Sequence, residues 1–463
     1  MLILGENTQK ILLQNLEQLK DYLNSNQIQI CVIGIGRIGL PTALFFAKSG
    51  LNVIGVDINS NLVESVNSGN FPLQDEPGFK EIFDEVMKKK NFHVITNIEE
   101  AVPKSDIILL SLPTPMDKNN VPNYSAIESV AKKLNKILNP YSIVVVESTV
   151  EPGFIENTFC KILEEGGRLN AGKNFGLGVC PENANPGEIL KDFETLPRLV
   201  GGINENSREI ITEIYSHVFS VKLVKMPDCK TANTVKLITN VFRYVNIAFI
   251  NELALLCEKL GIDIMKVIEA ANLKYNFQIH YPGPGVGGPC LPVNSYQILN
   301  SAKSFDNKLL KIVQLSTEIN EGMSNHVIEL TKDAFKEIHK TLEKSTILIL
   351  GISYKPNIKD IQITPAESVI EKLRKNGVNV KIYDPFFKSK KVFNIIAEDD
   401  FEKAISNSDA IILITAHKEF EDLDPTYLAS KMKSPIIIDT RGAIDFHAAK
   451  KAGLIIRGIG RGK

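Results

Sequence analysis

A cysteine comes directly after a segment made almost entirely of glycine and proline. The segment, residues 283–289, has the sequence Gly-Pro-Gly-Val-Gly-Gly-Pro, and Cys290 follows it. Glycine admits positive φ angles and close approach of other groups, whereas proline interrupts helices and strands, so the segment is predicted to be an irregular loop of defined shape. A thiol held at the end of such a loop is a candidate nucleophile. The alternative is a linker whose cysteine is incidental.

A second glycine-rich segment predicts a dinucleotide site. It lies between an apolar run, 28–33, and a predicted helix, 40–49. Glycines in this position permit a tight turn and close approach of a pyrophosphate, while Asp57, which closes the next strand, can bind the ribose hydroxyls. Asp57 would repel a 2′-phosphate, so NAD is predicted rather than NADP; the alternative is a glycine turn that binds nothing. The predicted cofactor-binding residues here are Gly34, Gly36, Arg37, Ile38, Gly39 and Asp57.

Polar or proline residues also follow two further apolar runs. Pro113 and Thr114 come after the run 107–112, and Thr149 comes after the run 143–146. Ligands of open α/β sheets bind outside the carboxyl ends of the strands, so these residues are predicted to line the nicotinamide half of the dinucleotide site. For either segment alone, an ordinary strand-to-loop turn is the alternative.

Three further polar residues, Lys236, Asn240 and Glu182, join Cys290 as candidates for the catalytic set. Lys236 lies one helical turn before Asn240, so both side chains are predicted to share a face of one helix. Glu182 comes just after the apolar run 175–179. Taken singly, a helix lysine or a loop carboxylate is more often a solvated surface group. Their occurrence together with the dinucleotide segment and Cys290 favours an active site.

Short apolar runs alternate with helical stretches in two parts of the chain, which predicts two parallel sheets covered on both faces. The second part echoes the first, since Asp57 and Asp384 each end a second strand. The predicted fold class is therefore α/β, with two Rossmann-like, doubly wound parallel-sheet domains joined by a long central helix or helical domain. The predicted strands are 28–33, 53–56, 93–96, 107–112, 143–146 and 175–179 in the first part, and 347–350, 378–383, 410–415 and 436–439 in the second.

Two other regions are predicted to be helical. No convincing strand lies between residues 228 and 340, and the stretch 241–256 is apolar on nearly every face, which predicts a helix buried all round. Residues 6–27 are predicted to form an amphipathic helix appended before the first strand.

The composition excludes several classes of protein. The 463 residues are 44% hydrophobic and 23% charged, with a formal net charge of −1, so no basic excess suggests a nucleic acid or an anionic membrane as partner. No apolar stretch approaches the roughly 18 residues of a spanning helix, and the N-terminus lacks the pattern of a signal peptide. The six cysteines are scattered, which indicates neither disulfides nor a zinc site. A cytoplasmic protein without a metal is predicted.

The chain resembles the nucleotide-sugar 6-dehydrogenases, the UDP-glucose/GDP-mannose dehydrogenase family, whose members oxidise the C6 alcohol of a UDP- or GDP-sugar to a carboxylate using two NAD. The resemblance runs from about residue 28 to 445, with its motifs in the same order. The loop before Cys290 is most similar to the branch that acts on UDP-N-acetylhexosamines, UDP-ManNAc or UDP-GlcNAc. The matching segments are 34–39, 113–115, 148–150, 181–182, 236–240, 251–254, 283–290 and 351–356.

The family plan implies a function for each region and a homodimer or a higher homo-oligomer. The implied regions are an N-terminal helical extension, 1–27, an NAD-binding Rossmann-like domain, 28–225, a central helical dimerisation domain, 226–340, and a C-terminal domain that binds the UDP-sugar, 341–463.

The resemblance also implies roles for the matching residues. Lys236, Asn240 and Thr149 would stabilise the alkoxide that develops at C6. The Cys290 thiolate would attack the aldehyde, and Glu182 would be the acid/base when the resulting thioester is hydrolysed. The residues implied to bind the nucleotide sugar are Glu182, Lys236, Asn240, Gly285, Gly287, Lys355 and Arg441.

The chain departs from the family pattern at four positions near the substrate. Asn294 stands where the family has an aspartate and completes the candidate catalytic set. Pro289 replaces a histidine, and Asn276 and Gln362 replace arginines. An asparagine keeps hydrogen-bonding capacity but cannot take a proton, so Asn294 is expected to lower the pKa of a neighbouring lysine and to weaken activation of the hydrolytic water.

Three functions are consistent with these residues. The favoured one is four-electron, NAD-dependent oxidation of a nucleotide sugar for the synthesis of a polysaccharide or glycan precursor. The second is a relative that binds nucleotide sugars with altered activity or none, which the four departures suggest. The third is a two-electron NAD-dependent dehydrogenase of the hydroxyacid type, which would need neither Cys290 nor the second sheet.

Overall fold

The computed structural model describes residues 8–303, 305–306 and 308–462. These residues divide into two compact units. The first unit contains the described residues of Met1–Thr239 and Tyr296–Phe305, and the second contains those of Asn240–Ser295 and Asp306–Lys463. Within the described ranges, no helix is both long and apolar enough to cross a membrane.

Eight of the described strands form the sheet of the first unit, in the order β3-β2-β1-β4-β5-β6-β7-β8. All neighbouring strands are parallel except β6 and β7, which are antiparallel. The six predicted strands are present with ends shifted by at most two residues, whereas β7 and β8 are missing from the sequence prediction. The strands are β1 (Gln29–Ile33), β2 (Asn52–Val56), β3 (Phe92–Ile95), β4 (Ile107–Leu110), β5 (Ile143–Val146), β6 (Gly176–Val179), β7 (Arg198–Gly202) and β8 (Leu223–Lys225).

Helices cover both faces of this sheet, and β4 and β5 are buried at every position, as in parallel sheets with helices on both sides. One covering element is N-terminal: a 3₁₀ turn, Ile11–Leu13, and α1 bury Ile11, Leu12, Leu19 and Leu23 in the core of the unit. This segment is therefore part of the core and not an appendage, while residues 1–7 lie outside the described chain. The helices are α1 (Leu16–Asn24), α2 (Gly39–Lys48), α3 (Ser60–Asn67), α4 (Phe79–Lys89), α5 (Ile98–Ala101), α6 (Ser125–Ile137), α7 (Cys160–Glu164), α8 (Ile189–Thr195) and α9 (Glu205–Val218).

Four helices occupy the central region, and no strand lies among the described residues of 228–340. The expectation that 241–256 is buried on every face is wrong for the single chain, because Phe242, Phe249 and Leu256 are about half exposed. Its apolar residues exceed what one chain buries, so one face of the helix stays in solvent. The helices are α10 (Cys229–Leu260), α11 (Ile264–Ala271), α12 (Leu291–Lys303) and α13 (Lys311–Glu337).

The second unit contains a five-stranded sheet, all parallel, in the order β10-β9-β13-β14-β15, and a small hairpin of β11 and β12, counted over the described residues. The predicted fold class, two Rossmann-like parallel sheets joined through a helical region, is confirmed. The strands are β9 (Thr346–Leu350), β10 (Asn379–Tyr383), β11 (Lys391–Val392), β12 (Ile395–Ile396), β13 (Ala410–Leu413), β14 (Ile436–Asp439) and β15 (Ile455–Gly458). The helices are α14 (Pro365–Lys375), α15 (Phe401–Ile405), α16 (Pro425–Lys431) and α17 (Phe446–Lys451).

Candidate active site

The loop between β1 and α2 has the backbone shape that a pyrophosphate requires. Gly34 has a φ of +94°, and a Cβ there would lie 2.3 Å from the Ser111 carbonyl oxygen; one on Gly39 would lie 1.8 Å from the Gly34 oxygen. A Cβ on Gly36 would have no atom within 4 Å, so the space in front of this glycine is open. No side chain caps α2 at Ile38, so N–H groups of its first turn are left for an anion.

Asp57 lies directly after β2, beside this loop. Its Oδ2 accepts a hydrogen bond from the Ile35 N–H at 2.9 Å, and its Oδ1 accepts one from the Asn59 N–H at 2.9 Å. Each carboxylate oxygen can accept a further hydrogen bond. Asp57 is thus fixed in place with capacity left for the ribose hydroxyls.

Arg37 has a side chain committed to the protein. Its Nη1 lies 2.8 Å from Glu76 Oε1 and its Nη2 lies 2.9 Å from Asp75 Oδ2. Burial acts to lower the pKa of Arg37, but the two carboxylates outweigh it and raise that pKa. Glu76 Oε1 also accepts the Gly187 N–H at 2.8 Å, which ties the loop to the segment after β6. Arg37 is therefore expected to contact a cofactor through its backbone and not through its charged side chain.

The ends of β4 and β5 meet as expected for adjacent parallel strands. The Thr114 hydroxyl donates to the Thr149 carbonyl at 3.0 Å, and the Gln297 side-chain amide donates to the same oxygen at 3.1 Å. Pro113 is exposed at the same edge. The structure thus brings Pro113, Thr114 and Thr149 together at the carboxyl edge of the first sheet.

Glu182 is held by both of its carboxylate oxygens. Oε1 accepts the N–H groups of Asn183 and Ala184 at 2.7 and 2.9 Å. Oε2 lies 2.7 Å from Nη1 of Arg198, which is buried. Glu182 is therefore a fixed group at the end of β6 and not a mobile surface carboxylate.

Lys236 is also withdrawn from solvent. It lies in α10 and is only 7% exposed, and Asn240 follows one turn later in the same helix. Lysine is rarely buried in proteins unless it has a partner or a function. Lys236 is therefore not the solvated surface lysine that residue type alone suggests.

Contacts within the second unit shape the loop that ends in Cys290. A Cβ on Gly287 would lie 2.6 Å from the Ile363 carbonyl oxygen, and one on Gly288 would lie 2.6 Å from the Tyr354 ring. Gly285 and Gly288 have φ angles of +131° and +87°, which residues with a side chain rarely adopt. The glycines are required because the backbone passes directly against these neighbours.

A row of buried amides anchors the start of this loop. The Gly283 N–H donates to Asn251 Oδ1 at 2.9 Å, and Asn251 Nδ2 donates to Asn320 Oδ1 at 2.9 Å. Asn320 Nδ2 donates in turn to the Tyr244 carbonyl at 3.1 Å. Since α10 carries Asn251 and α13 carries Asn320, the loop is tied to both helices.

Cys290 is the one exposed residue among the six cysteines, all of which are described. It lies at the start of α12, where its carbonyl accepts the Asn294 N–H at 2.9 Å. The other five thiols are buried, and burial raises the pKa of each, so they are poor nucleophiles. These five are Cys31, Cys160, Cys180, Cys229 and Cys257.

The amide that replaces the family aspartate keeps an internal contact. Asn294 is 3% exposed, and its Oδ1 accepts a hydrogen bond from Asn240 Nδ2 at 2.5 Å. The Gln362 carbonyl accepts the Gly288 N–H at 3.1 Å, so Gln362 supports the cysteine loop through its backbone. Asn276 is exposed. The effect expected on the pKa of a neighbouring lysine stays a prediction.

Two cations of the second unit lie beside the elements that shape the cysteine loop. Arg441 Nε donates to the Ile414 carbonyl at 2.8 Å, and a Cβ on Gly283 would lie 2.4 Å from Arg441 Nη1. Loss of hydration lowers the pKa of Arg441 to about 10, although Asp439 opposes this shift. Lys355 follows Tyr354, the residue whose ring packs on the loop. Two positive groups in this place suit the pyrophosphate of a nucleotide sugar.

Sequence reasoning missed the residues that support these groups. In the first unit Arg198 pairs with Glu182, and in the second unit His417 Nε2 lies 3.0 Å from Asp384 Oδ2. No local motif marks such pairs, although both Arg198 and Asp384 adjoin strands. Among the described residues, no group of three His, Cys, Asp or Glu side chains could hold a metal ion.

Comparisons with known proteins agree over nearly the whole chain. Three family models match it: "UDP-glucose/GDP-mannose dehydrogenase family, NAD binding domain" at residues 28–219, "central domain" at 230–322 and "UDP binding domain" at 348–446. A UDP-N-acetyl-D-mannosamine dehydrogenase of Pyrococcus horikoshii is 33% identical over 435 residues, which cover 94% of this chain and 100% of that protein.

Solved structures show the same likeness. The UDP-D-ManNAc dehydrogenase of Pyrococcus horikoshii superposes with a TM-score of 0.87 at 31% identity, covering 94% of this chain and 99% of that one. The NDP-N-acetyl-D-galactosaminuronic acid dehydrogenase of Methanosarcina mazei superposes with a TM-score of 0.82 at 30% identity, covering 97% of this chain and 98% of that one.

Proposed function

Because this chain belongs to the UDP-glucose/GDP-mannose dehydrogenase family, we propose that it oxidises the C6 hydroxyl of UDP-N-acetyl-D-mannosamine to the carboxylate. It is an NAD-dependent oxidoreductase that acts on a nucleotide sugar. The choice of sugar is supported by the names of the relatives that cover 94% of the chain. The observation that carries the four-electron reaction is Cys290, an exposed thiol at the end of a loop packed against the segment that joins β9 to α14 in the second unit.

The loop after β1 fits NAD. The open space at Gly36 admits the pyrophosphate, the uncapped first turn of α2 supplies N–H donors, and Asp57 has capacity for the ribose. Pro113 and Thr114 would lie against the nicotinamide half. NAD, when bound there, accepts the hydride in each oxidation.

In the first oxidation a hydride leaves C6 while the C6 hydroxyl gives its proton to a base or to water held by polar groups, which leaves an aldehyde. Negative charge develops on the oxygen, and donors aimed at it lower the barrier. We assign this role to Lys236, Asn240 and Thr149. Because Lys236 is buried, its charge is little screened by water and acts strongly at short range.

In the second oxidation a thiol must add first, because a hydride leaves a carbon readily only when a hydroxyl on that carbon can lose its proton and form a carbonyl, and an aldehyde carbon has no such hydroxyl. The Cys290 sulfur forms a bond to C6, and the carbonyl oxygen takes up a proton to give a thiohemiacetal. Loss of the second hydride and of the hydroxyl proton leaves a thioester. The buried cysteines cannot substitute, since burial disfavours their thiolates.

Hydrolysis of the thioester completes the reaction and frees Cys290. Glu182 is assigned as the group that accepts a proton from the attacking water, because its carboxylate is held rigidly at the end of β6. Asn294 cannot share this proton transfer as an aspartate would. We therefore expect hydrolysis to be the slow step in this enzyme. Asn294→Asp is expected to raise the steady-state rate without changing the rate of the first NADH formation.

The second sheet is assigned to the nucleotide. Lys355 and Arg441 would pair with the two phosphates, and Gly285 and Gly287 would let the loop approach the substrate closely. Protein atoms already crowd both glycines, since a Cβ would lie 3.2 Å from the Asn320 oxygen at Gly285 and 2.6 Å from the Ile363 oxygen at Gly287, so their role toward the substrate needs a test by binding. Arg441→Met is expected to raise the KM for the nucleotide sugar by about 10-fold, as for loss of one charged contact, with the KM for NAD unchanged.

A panel of nucleotide sugars tests the substrate and the reaction together. Steady-state assays with the UDP derivatives of N-acetylmannosamine, N-acetylglucosamine, N-acetylgalactosamine and glucose should give the highest kcat/KM for the first. Cys290→Ser should abolish the uronate product, whereas Cys160→Ser, a matched change at a buried cysteine, should not. Binding of all four sugars without NADH formation would favour a non-catalytic relative. Turnover unaffected by Cys290→Ser would favour a two-electron dehydrogenase.

A homodimer is proposed from the apolar face of the central helix. Phe242, Phe249 and Leu256 recur every seven residues along α10 and are 49%, 52% and 52% exposed. Residues with this spacing lie on one face, and an exposed apolar stripe of this kind is typical of an interface. Phe249→Glu should shift the sedimentation coefficient toward a monomer, whereas Lys259→Glu at an exposed polar position of the same helix should not. An unchanged coefficient for Phe249→Glu would contradict the proposal.

We also propose a cytoplasmic enzyme that makes a precursor for polysaccharide synthesis. All six cysteines are free, which suits a reducing compartment. We propose that residues 28–225 bind NAD, that residues 226–340 form the dimer interface, and that residues 341–463 bind the nucleotide sugar.

A further inference from the structure

The first unit contains a buried charged cluster next to Glu182. Its members are Glu147 after β5, Cys180 and Glu182 after β6, Arg198 at the start of β7 and Tyr215 in α9. Glu147, Cys180 and Tyr215 are essentially inaccessible to solvent, and Arg198 is 3% exposed. Such an arrangement is costly to bury and demands an explanation beyond packing.

The antiparallel pairing of β6 and β7 brings Arg198 to the active-site edge of the sheet. Val179 pairs with Gly201, and Gly178 pairs with Gly202. The same register, continued beyond Val179, places Glu182 opposite Arg198. A parallel strand would have its first residue at the other edge of the sheet. The reversal of this one strand therefore positions the guanidinium.

Aromatic rings hold the guanidinium in place. Its central carbon lies 3.7 Å from the ring centroid of Phe219 and 4.6 Å from that of Phe193. A planar guanidinium stacks on such faces, whereas an ammonium group does not fit them in the same way. Burial acts to lower the pKa of Arg198, but the neighbouring Glu182, Cys180 and Glu147 raise it, so the group stays charged.

A second carboxyl group lies on the inner side of the cluster. Glu147 Oε1 accepts a hydrogen bond from the Tyr215 hydroxyl at 2.6 Å. Burial raises the pKa of Glu147 to about 7, while Arg198 and Tyr215 oppose that shift and Glu182 adds to it. Glu147 is therefore largely protonated and neutral below about pH 7. Glu182 is then the carboxylate that balances the positive charge of Arg198.

We propose that Arg198 is the positioning residue for Glu182, holding that carboxylate in the orientation that receives a proton from the hydrolytic water, with Glu147 and Tyr215 anchoring the inner side of the cluster. This inference rests on the proposed function, in which Glu182 serves thioester hydrolysis. Arg198 touches no reacting atom and acts through Glu182 alone.

The test separates the hydride steps from hydrolysis. Arg198→Lys keeps the charge but loses the stacked plane. Rapid mixing of this variant with UDP-N-acetyl-D-mannosamine and NAD should give a burst of two NADH per subunit at a rate within about twofold of wild type. The steady-state rate should fall at least about 10-fold, within the range for general acid–base groups, and mass spectrometry should detect the acyl group on Cys290. Arg168→Lys, at another arginine bonded only within the first unit, is the control and should leave both phases unchanged.

A second variant guards against failure to fold. Arg198→Met alone leaves two buried carboxyl groups without a cation, whereas Glu147→Gln/Arg198→Met removes one carboxyl group along with the cation. The double variant should show the same burst and slow turnover. Glu147→Gln alone should keep the burst, because the hydride steps do not use this cluster, and should lose the ionisation near pH 7 from the hydrolysis profile; the ionisable groups facing Glu147 are Cys180, Glu182, Arg198 and Tyr215.

Three outcomes overturn different claims. If Glu182→Gln gives the burst with slow turnover but Arg198→Lys behaves as wild type, Arg198 does not position Glu182. If Arg198→Lys loses the burst in proportion to turnover, its role is merely structural and the inference fails. If Glu182→Gln turns over at the wild-type rate, the role proposed for Glu182 fails first, whatever Arg198 does.

Discussion

The first strands of the two sheets end in the same way, yet one ending leaves room for the pyrophosphate of a dinucleotide and the other does not. Gly34 after β1 and Gly351 after β9 have φ angles of +94° and +74°, and a Cβ on either would lie 2.3 Å from a carbonyl oxygen. Asp57 and Asp384 each accept the N–H that follows the glycine, at 2.9 and 2.8 Å. The turn is therefore the same structural device, used twice.

The two turns differ two residues further on. Gly36 faces open space and α2 begins at Gly39, whereas Ser353 is completely buried, donates its hydroxyl to the Ile358 carbonyl at 2.7 Å, and is followed by no helix until Pro365. His417 also fills the second turn by contacting Asp384. A strand-end glycine thus makes a turn, but a dinucleotide site also needs an open second glycine and a helix N-terminus.

Substitution of the glycines should have the largest effects, because it tests separately the glycine that makes the turn and the glycine that leaves space for the dinucleotide. Gly36→Val should raise the Kd for NAD by about 100-fold, roughly 2.7 kcal/mol, because its side chain occupies the pyrophosphate space, while the free energy of unfolding stays close to wild type. Gly351→Ala should cost at least about 2 kcal/mol of stability, since alanine at positive φ is strained and its Cβ meets the Thr415 carbonyl. Calorimetry of NAD binding and chemical denaturation measure the two effects.

Gly34→Ala is the matched control, two residues from Gly36. Its Cβ would clash with the Ser111 carbonyl, so it should lose stability as well as NAD affinity. A loss of stability in Gly36→Val equal to that of Gly34→Ala would show that the space at Gly36 serves folding rather than a ligand.

The two aspartates should show a smaller contrast of the same kind. Asp57→Asn should weaken NAD binding by about 10-fold, since a hydrogen bond to a charged group contributes roughly 1.5–3 kcal/mol, and should lessen discrimination against NADP. Asp384→Asn should leave NAD binding unchanged and cost roughly 2 kcal/mol of stability. Equal effects of the two changes on NAD binding would contradict the contrast.

The stability effect of Asp384 should depend on pH. Burial acts to raise the pKa of Asp384, but the hydrogen bond from His417 and those from the N–H groups of Ile352 and Phe386 outweigh it and lower that pKa. A lowered carboxyl pKa stabilises the fold above the unfolded value, and that stabilisation is lost as the pH falls through the folded value. The wild-type advantage over Asp384→Asn should therefore shrink below about pH 4, as measured by denaturation. A constant difference would contradict this origin.

Substitution of His417 should have the smallest effect and should change only the KM for the nucleotide sugar. Its Nδ1 accepts the Asn357 N–H at 2.9 Å, so Nε2 carries the proton that it donates to Asp384. This contact holds the segment that carries Lys355. His417→Gln keeps a donor and an acceptor but loses the rigid ring that places them at Asp384 and at the Asn357 N–H together, and should raise the KM for the nucleotide sugar about three- to 10-fold. An equal rise in the KM for NAD would show general damage instead.

Local patterns explain why most of the fold and the first site could be predicted from the sequence. The buried parallel strands are continuous apolar runs, and the segment from Gly34 to Asp57 lies within one βαβ unit. β7 escaped prediction because its sequence begins with Arg198 and ends with Gly201 and Gly202, which are poor strand formers alone.

The supporting residues could not be predicted because tertiary contacts create them. Arg198 meets Glu182 only because β7 runs antiparallel to β6, and His417 meets Asp384 across 33 residues. The exposed apolar face of α10 could not be predicted for a different reason. An all-round apolar helix has the same sequence pattern whether one chain or two bury it.

The number of hydrides taken from each sugar distinguishes four-electron from two-electron oxidation most directly. Purified enzyme with limiting UDP-N-acetyl-D-mannosamine and excess NAD should form two NADH per sugar consumed and release the uronate, and Cys290→Ser should form no uronate. One NADH per sugar, at a rate that Cys290→Ser leaves unchanged, would contradict the central role of the cysteine loop.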